Sequence, residues 1–412
     1  MVPLQILIVA FVLTLAPGYG AGAAVTRSVN TVETVAEWLQ LEYGFPTTQD
    51  QESAQAAGNL VPENGTPIDV QPQYLANGTL RLFTTIPRFV TGVPYTLATV
   101  SSTNGTNGPV LQPYPSYDWH NDNGDDCDKI TSVYRVSITE CNQMWIVDTG
   151  SVGTTTYCPP QLLQFDLDTD TLLHRYRFLN TTYTPSASLF ITPNVLVKDP
   201  APEGTCNNTM VYVADVTFHG LVVYDHQNQT SWRVENRFMY PAPDHGKHII
   251  ANETFYLMDG LFALTNDKTN LYFHPMATAS EYAVPLSALN NQDNWANNPE
   301  ALPEQFTLLG SRSSECAASA IDSLNNVYCV TFNPIQLISW NTNTTYTPEN
   351  FVVLPAEADE LEFVSGMKVV KNPDGQEELW LISNRFQKIA EGTLDFSEVN
   401  FRILRRNLAD VQ

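Results

Sequence analysis

The sequence predicts an all-β chain closing into a six-bladed β-propeller, with a short helical segment ahead of the blades. Two observations lead there. A strand motif recurs along the chain, and helical periodicity is nearly absent. The motif is a short run of β-branched and aromatic residues ending in a polar residue and a turn. Its copies are Leu80–Thr85 (LRLFTT), Met144–Asp148 (MWIVD), Val211–Asp215 (VYVAD), Phe255–Asp259 (FYLMD), Val327–Thr331 (VYCVT) and Leu379–Ser383 (LWLIS). They lie about 44 to 72 residues apart, room for four short strands and their loops. Six such units argue one ring of sheets rather than several domains.

A second strand often follows a copy, as in Gln161–Leu167, Gly220–Asp225 and Gln336–Trp340. Alternation in these runs, with Asp, Asn and Gly at their ends, is strand patterning. Residues Asn30–Tyr43 instead carry apolar side chains at helical spacing without Pro or Gly, and are expected to form a helix capped by Asn30 or Thr31. Pro285–Asn290 and Asn298–Gln305 read as helical turns. A pair of β-sandwiches is the competing architecture. The Asn/Gly/Thr-rich stretch Ser101–Gly108 is its best candidate linker, and it is short for one.

Ahead of the blades, Leu4–Leu15 is an apolar run followed by small residues to Ala24, the pattern of a secretory signal peptide. The run falls short of the roughly 20 residues that span a bilayer. The expectation is an exported chain in which residues 1–24 are removed and 25–412 form one propeller. Eight N-x-S/T sequons agree with export: Asn64, Asn77, Asn104, Asn180, Asn207, Asn228, Asn252 and Asn343. So does an even cysteine count: Cys127, Cys141, Cys158, Cys206, Cys316 and Cys329. Six cysteines allow 15 pairings. The simplest joins neighbours: Cys127 to Cys141, Cys158 to Cys206, and Cys316 to Cys329. Zinc is a poor alternative, since no C-x-x-C pair occurs.

The formal charge of −24 argues against nucleic acid and anionic membranes as partners, because both are read with basic patches. It permits cationic partners and favours solubility.

Five ordered blocks carry a resemblance. Pro87–Val100, Cys127–Gly150, Cys158–Phe178, Leu271–Val284 and Leu379–Phe386 are similar to segments of the yellow / major royal jelly protein family of insects. That resemblance implies a six-bladed propeller. It also implies one of several roles: pigmentation and cuticle, dopachrome conversion in melanin synthesis, binding of biogenic amines, or structural and nutritional secretion.

For the site, a propeller gathers equivalent strand ends around a channel. Asp148, Asp215, Asp259, Thr331 and Asn384 are therefore expected to converge there and to seat a protonated amine by charge-assisted hydrogen bonds. Each Asp has a plainer reading as the cap of its own turn. The resemblance to amine-binding members maps a hydroxyl, an amide and an aromatic onto Ser365, Asn384 and Phe386. A small aromatic amine or catechol-derived molecule is the partner this implies, and no cofactor is implied. Catalysis has weaker signals. Of the histidines His120, His174, His219, His226, His245, His248 and His274, the pair in Asp244–His248 reads as a loop and His174 as solvent-facing. Asp148 or Asp259 with a nearby His could act as a base. The acidic run Asp122–Asp126 lacks calcium-loop spacing and reads as a solvated loop. No metal site is expected.

Overall fold

The structure, a computed structural model, describes residues 32–120 and 126–409. The signal-peptide segment, the helix caps at Asn30 and Thr31, and most of the acidic run Asp122–Asp126 lie outside the described residues.

Six antiparallel sheets form a ring of blades. Blade one opens with Asp69–Tyr74, blade two with Val133–Ile138, and blade three with Phe190–Val197. Blade four opens with Leu261–Asn266, blade five with Cys316–Ile321, and blade six with Val364–Lys371. Each opening strand packs against that of the next blade, and blade six returns to blade one. These first strands therefore line the axis. The recurring sequence motif is the second strand of its blade. This holds for Leu80–Thr85, Gln143–Asp148, Thr209–Asp215, Asn326–Phe332 and Glu377–Ser383.

The copy Phe255–Asp259 breaks the rule. Its strand, Glu253–Tyr256, pairs with Lys247–Ile250 in a separate two-stranded hairpin. The second strand of blade four is Asn270–Pro275. The Asp244–His248 segment, read as a loop, supplies part of that hairpin.

The expected helix at Asn30–Tyr43 is a strand, Glu33–Trp38, followed by a short parallel edge piece, Glu42–Tyr43. Glu33–Trp38 pairs antiparallel with Phe401–Asn407, from Glu33 opposite Arg405 to Trp38 opposite Phe401. It is the fourth strand of blade six, so the two ends of the chain close the ring together. Short apolar runs do not distinguish helix from strand, and here the partner lies at the far end of the chain. Trp38 is fully buried in the seam, and its indole N–H donates to Pro109 O at 2.7 Å.

All six cysteines are bridged, but the connectivity differs from the simplest one. The bridges are Cys127–Cys158, Cys141–Cys206 and Cys316–Cys329. Only the third joins chain neighbours. Cys141 and Cys206 sit in the turns between the first two strands of blades two and three. Equivalent corners of adjacent blades are close in space although 65 residues apart in sequence. Seven of the sequon asparagines are exposed. Asn64 is half-buried and donates its amide to Thr91 O at 2.9 Å.

Candidate functional site

The polar residues closing the second strands serve those strands. Asp148 is fully buried and accepts four bonds. Three come from backbone N–H groups: Thr131 at 3.0 Å, Ser132 at 2.7 Å and Gly150 at 3.1 Å. The fourth comes from Gln161 Nε2 at 3.0 Å. Asp215 accepts from the N–H groups of Leu189 and Phe218 and pairs with Arg233 at 2.8 Å. Thr331 donates to Pro334 O at 2.6 Å. All three stand one strand out from the axis, so they do not converge.

What the ring does gather lies at one end of the axis. A cavity of about 240 Å³ is enclosed there by blades one, two, three, four and six and by the start of the helix Phe386–Glu391. Its walls are mainly aromatic. Phe386 meets Phe363 at a 5.0 Å centroid distance and Phe89 at 6.0 Å, and Phe89 meets Tyr134 at 5.5 Å. Phe363 holds a left-handed backbone, φ 51°, unusual for a bulky residue and a form of strain that collects at functional sites. The helix and the hairpin Lys247–Tyr256 cover one side. Lys388 pairs with Glu253 at 2.8 Å, and Phe255 lies 6.1 Å from both Phe363 and Phe386.

Few polar groups enter this cavity. They are Asp259, Arg135, Tyr134 and Ser365. Asp259 follows directly on the covering hairpin, which delivers it into the cavity. Burial in apolar walls pushes its carboxyl up to about 6, although the nearby Arg135 pulls it down. Arg135 comes from the first strand of blade two and is almost wholly buried. Its guanidinium stacks over Phe262 at 4.4 Å and donates through Nε and Nη2 to Ser365 O, at 3.2 and 2.7 Å. Desolvation lowers it to about 10, opposed by the charges of Asp69 and Asp259, so it remains a cation at neutral pH. Burial and the Asp259 carboxylate both raise the Tyr134 phenol, which stays protonated.

Three of the residues singled out from sequence, Asp259, Ser365 and Phe386, therefore reach one cavity. Ser365 lines it with its hydroxyl already engaged. Oγ donates to Ile68 O at 2.6 Å and accepts from Asn384 Nδ2 at 2.9 Å. Asn384 stands behind it, also donating to Pro67 O at 2.9 Å. The pair clasps blade six to blade one. Arg135 and Tyr134 were not singled out. Their signal was an arginine inside an otherwise strand-like run, VYRVSI, where buried charge is rare without purpose.

The cavity lining contains no histidine. His174, expected to face solvent, is half-buried in the last strand of blade two. Its Nε2 lies 2.8 Å from Tyr224 Oη of blade three, because that edge strand packs on the neighbouring blade. His245 pairs with Glu315. His248 contacts Leu257 O through Nε2 at 2.8 Å. Burial lowers His120 to about 3. Among the described residues no three His, Cys, Asp or Glu side chains are grouped to hold a metal ion.

The family model described as major royal jelly protein matches residues 131–412. Dopaminechrome tautomerase of Drosophila melanogaster is 31% identical over 397 residues, covering 93% of this chain and 83% of that one. Major royal jelly protein 9 of Apis mellifera is 31% identical over 380 residues, covering 89% and 86%. Protein yellow of Drosophila yakuba is 29% identical over 391 residues, covering 90% and 68%.

Proposed function

The chain belongs to the major royal jelly protein family, and on that premise we propose that it is an exported protein of pigment chemistry that isomerises a catechol-derived aminochrome in the axial-end cavity. Export is supported by the apolar leader, the exposed sequons and three disulfides. The substrate class, dopaminechrome and related indoline quinones, comes from the name of one relative.

One observation carries the chemical reading. A carboxyl raised to about 6 shares an aromatic-walled cavity with a buried arginine. The aromatic rings offer stacking faces for a planar bicyclic ring. Asp259, ionised at neutral pH and poorly solvated, is a base tuned near working pH. It removes a proton from a saturated carbon of the fused ring. The C–H electron pair flows into the quinoid system, and negative charge develops on a quinone oxygen. Arg135, held in place by Ser365 O and Phe262, stabilises that charge. Water protonates the oxygen, and Asp259 returns its proton to solvent before the next transfer. Repeating the transfer from the second saturated carbon gives the dihydroxyindole, an isomer of the substrate, with no oxidant consumed.

The same pair disfavours a simple amine carrier. A protonated amine placed on Asp259 would meet the Arg135 cation beside it. Stopped-flow absorbance of dopaminechrome, with purified protein against a heat-inactivated control, tests the reading. Faster loss of the aminochrome is expected. Calorimetric binding of serotonin or dopamine with no aminochrome turnover would replace catalysis by carriage.

A further inference from the structure

Behind Arg135, further along the axis, lies a second cavity of about 150 Å³ that the proposed reaction does not use. Its character is different. The first strands of blades two to six line it with small and hydroxyl side chains, Ser137, Thr265 and Ser319 among them. Two cations border it, Arg135 and Lys368.

Several donors here are left without partners. A guanidinium carries five N–H groups. Arg135 directs Nε and Nη2 at Ser365 O and Nη1 at Thr192 Oγ1, 3.3 Å away, which leaves N–H groups over. Lys368 gives one of its three N–H groups to Asp69 Oδ2 at 2.9 Å. Two of the wall acceptors are already engaged. Thr192 donates to Phe262 O at 2.8 Å, and Asn194 Oδ1 accepts from Asn266 at 2.6 Å. The Ser319 hydroxyl is buried with no hydrogen-bond partner among the described residues. The other oxygen of Asp69, Oδ1, is buried with no hydrogen-bond partner among the described residues, and Asp69 does not line the cavity.

Arg135 and Lys368 border this cavity, and among the described residues no carboxylate lines it. Their counter-charges, Asp69 and Asp259, balance them from outside its walls. The whole chain carries −24, so its long-range field repels anions, and only a built site would hold one. We infer that the axial cavity is a binding site for a small monovalent anion of halide size, held by Lys368, the free N–H groups of Arg135 and the Ser319 hydroxyl. At roughly 30 Å³ per water, a halide and a few waters fill the space, while a sugar acid does not fit. The inference stands whether or not the first cavity turns over a catechol.

Bromide is the probe. Crystals of the full exported chain soaked in sodium bromide should show an anomalous peak between Lys368 Nζ and Ser319 Oγ. The melting temperature should rise with bromide, and not with sodium gluconate at equal ionic strength, as expected for a ligand that binds the folded state. Lys368→Met should abolish both effects. Should that variant fail to fold, Ser319→Ala keeps the charges and should weaken bromide binding about fivefold, the loss of one hydrogen bond. An empty channel at saturating bromide, with identical melting in bromide and gluconate, overturns the inference.

Discussion

Replacing Asp259 by Asn should make the protein more stable and inactive at once. The side chains are nearly equal in size, and Asn mimics the neutral acid. In the folded chain the Asp259 carboxyl titrates near 6, against 3.8 for an unperturbed Asp. The folded state therefore holds this proton more tightly than the unfolded state. Stability contributed by the neutral form is complete below about pH 4 and is lost as pH rises towards 6. A shift of about two units, at 1.36 kcal/mol each, is at most about 3 kcal/mol by pH 7. Asp259→Asn avoids that loss. In a chain of this length the gain amounts to about 3–4 °C in melting temperature. The assay is thermal unfolding of both proteins at pH 4 and pH 7. The variant should melt higher at pH 7, and the gap should close at pH 4. A variant that is less stable at pH 7, or a gap independent of pH, would refute the claim that this carboxylate is held ionised against its environment.

Two further predictions concern the frame of the site. Ser365→Ala removes an acceptor from Asn384 and a donor from Ile68 O, leaving buried groups unpaired at the seam of blades six and one. Denaturant unfolding should show a loss of about 2–3 kcal/mol, with little change in KM for an aminochrome. Replacing Cys141 and Cys206 together by Ala frees a 65-residue loop. Chain entropy puts the loss near 4 kcal/mol, measurable as a lower denaturation midpoint with both other bridges intact.

Much of this architecture was legible because five of the six motif copies are the second strands of their blades, buried on both faces and so reading as apolar runs. Where the reading failed, the cause was a partner remote in sequence. Glu33–Trp38 looked helical because nothing local announces that Phe401–Asn407 will pair with it. Phe255–Asp259 has the motif's composition, yet its neighbour Lys247–Ile250 makes it a hairpin over the cavity. Taking the motif strands as innermost led to the expectation that Asp148, Asp215 and Thr331 would converge. They sit one strand too far out. Asp259 reaches the cavity for the opposite reason, because it follows a hairpin and not a blade strand. Arg135 and Tyr134 were invisible to a search of strand ends, since they lie within a first strand. Ser365 and Phe386, carried over from the family resemblance, do reach the cavity, although Ser365 also holds the seam.

The account rests on Asp259 acting as a base on a ring bound between Phe89, Phe363 and Phe386. Its most direct test is the rate of dopaminechrome loss measured from pH 5 to 8 with the wild type and Asp259→Asn. The wild type should show a kcat/KM that falls on the acid side with a midpoint near 6, and the variant should lose at least about a hundredfold. A wild-type rate equal to that of buffer, or a variant as fast as the wild type across that range, would contradict it.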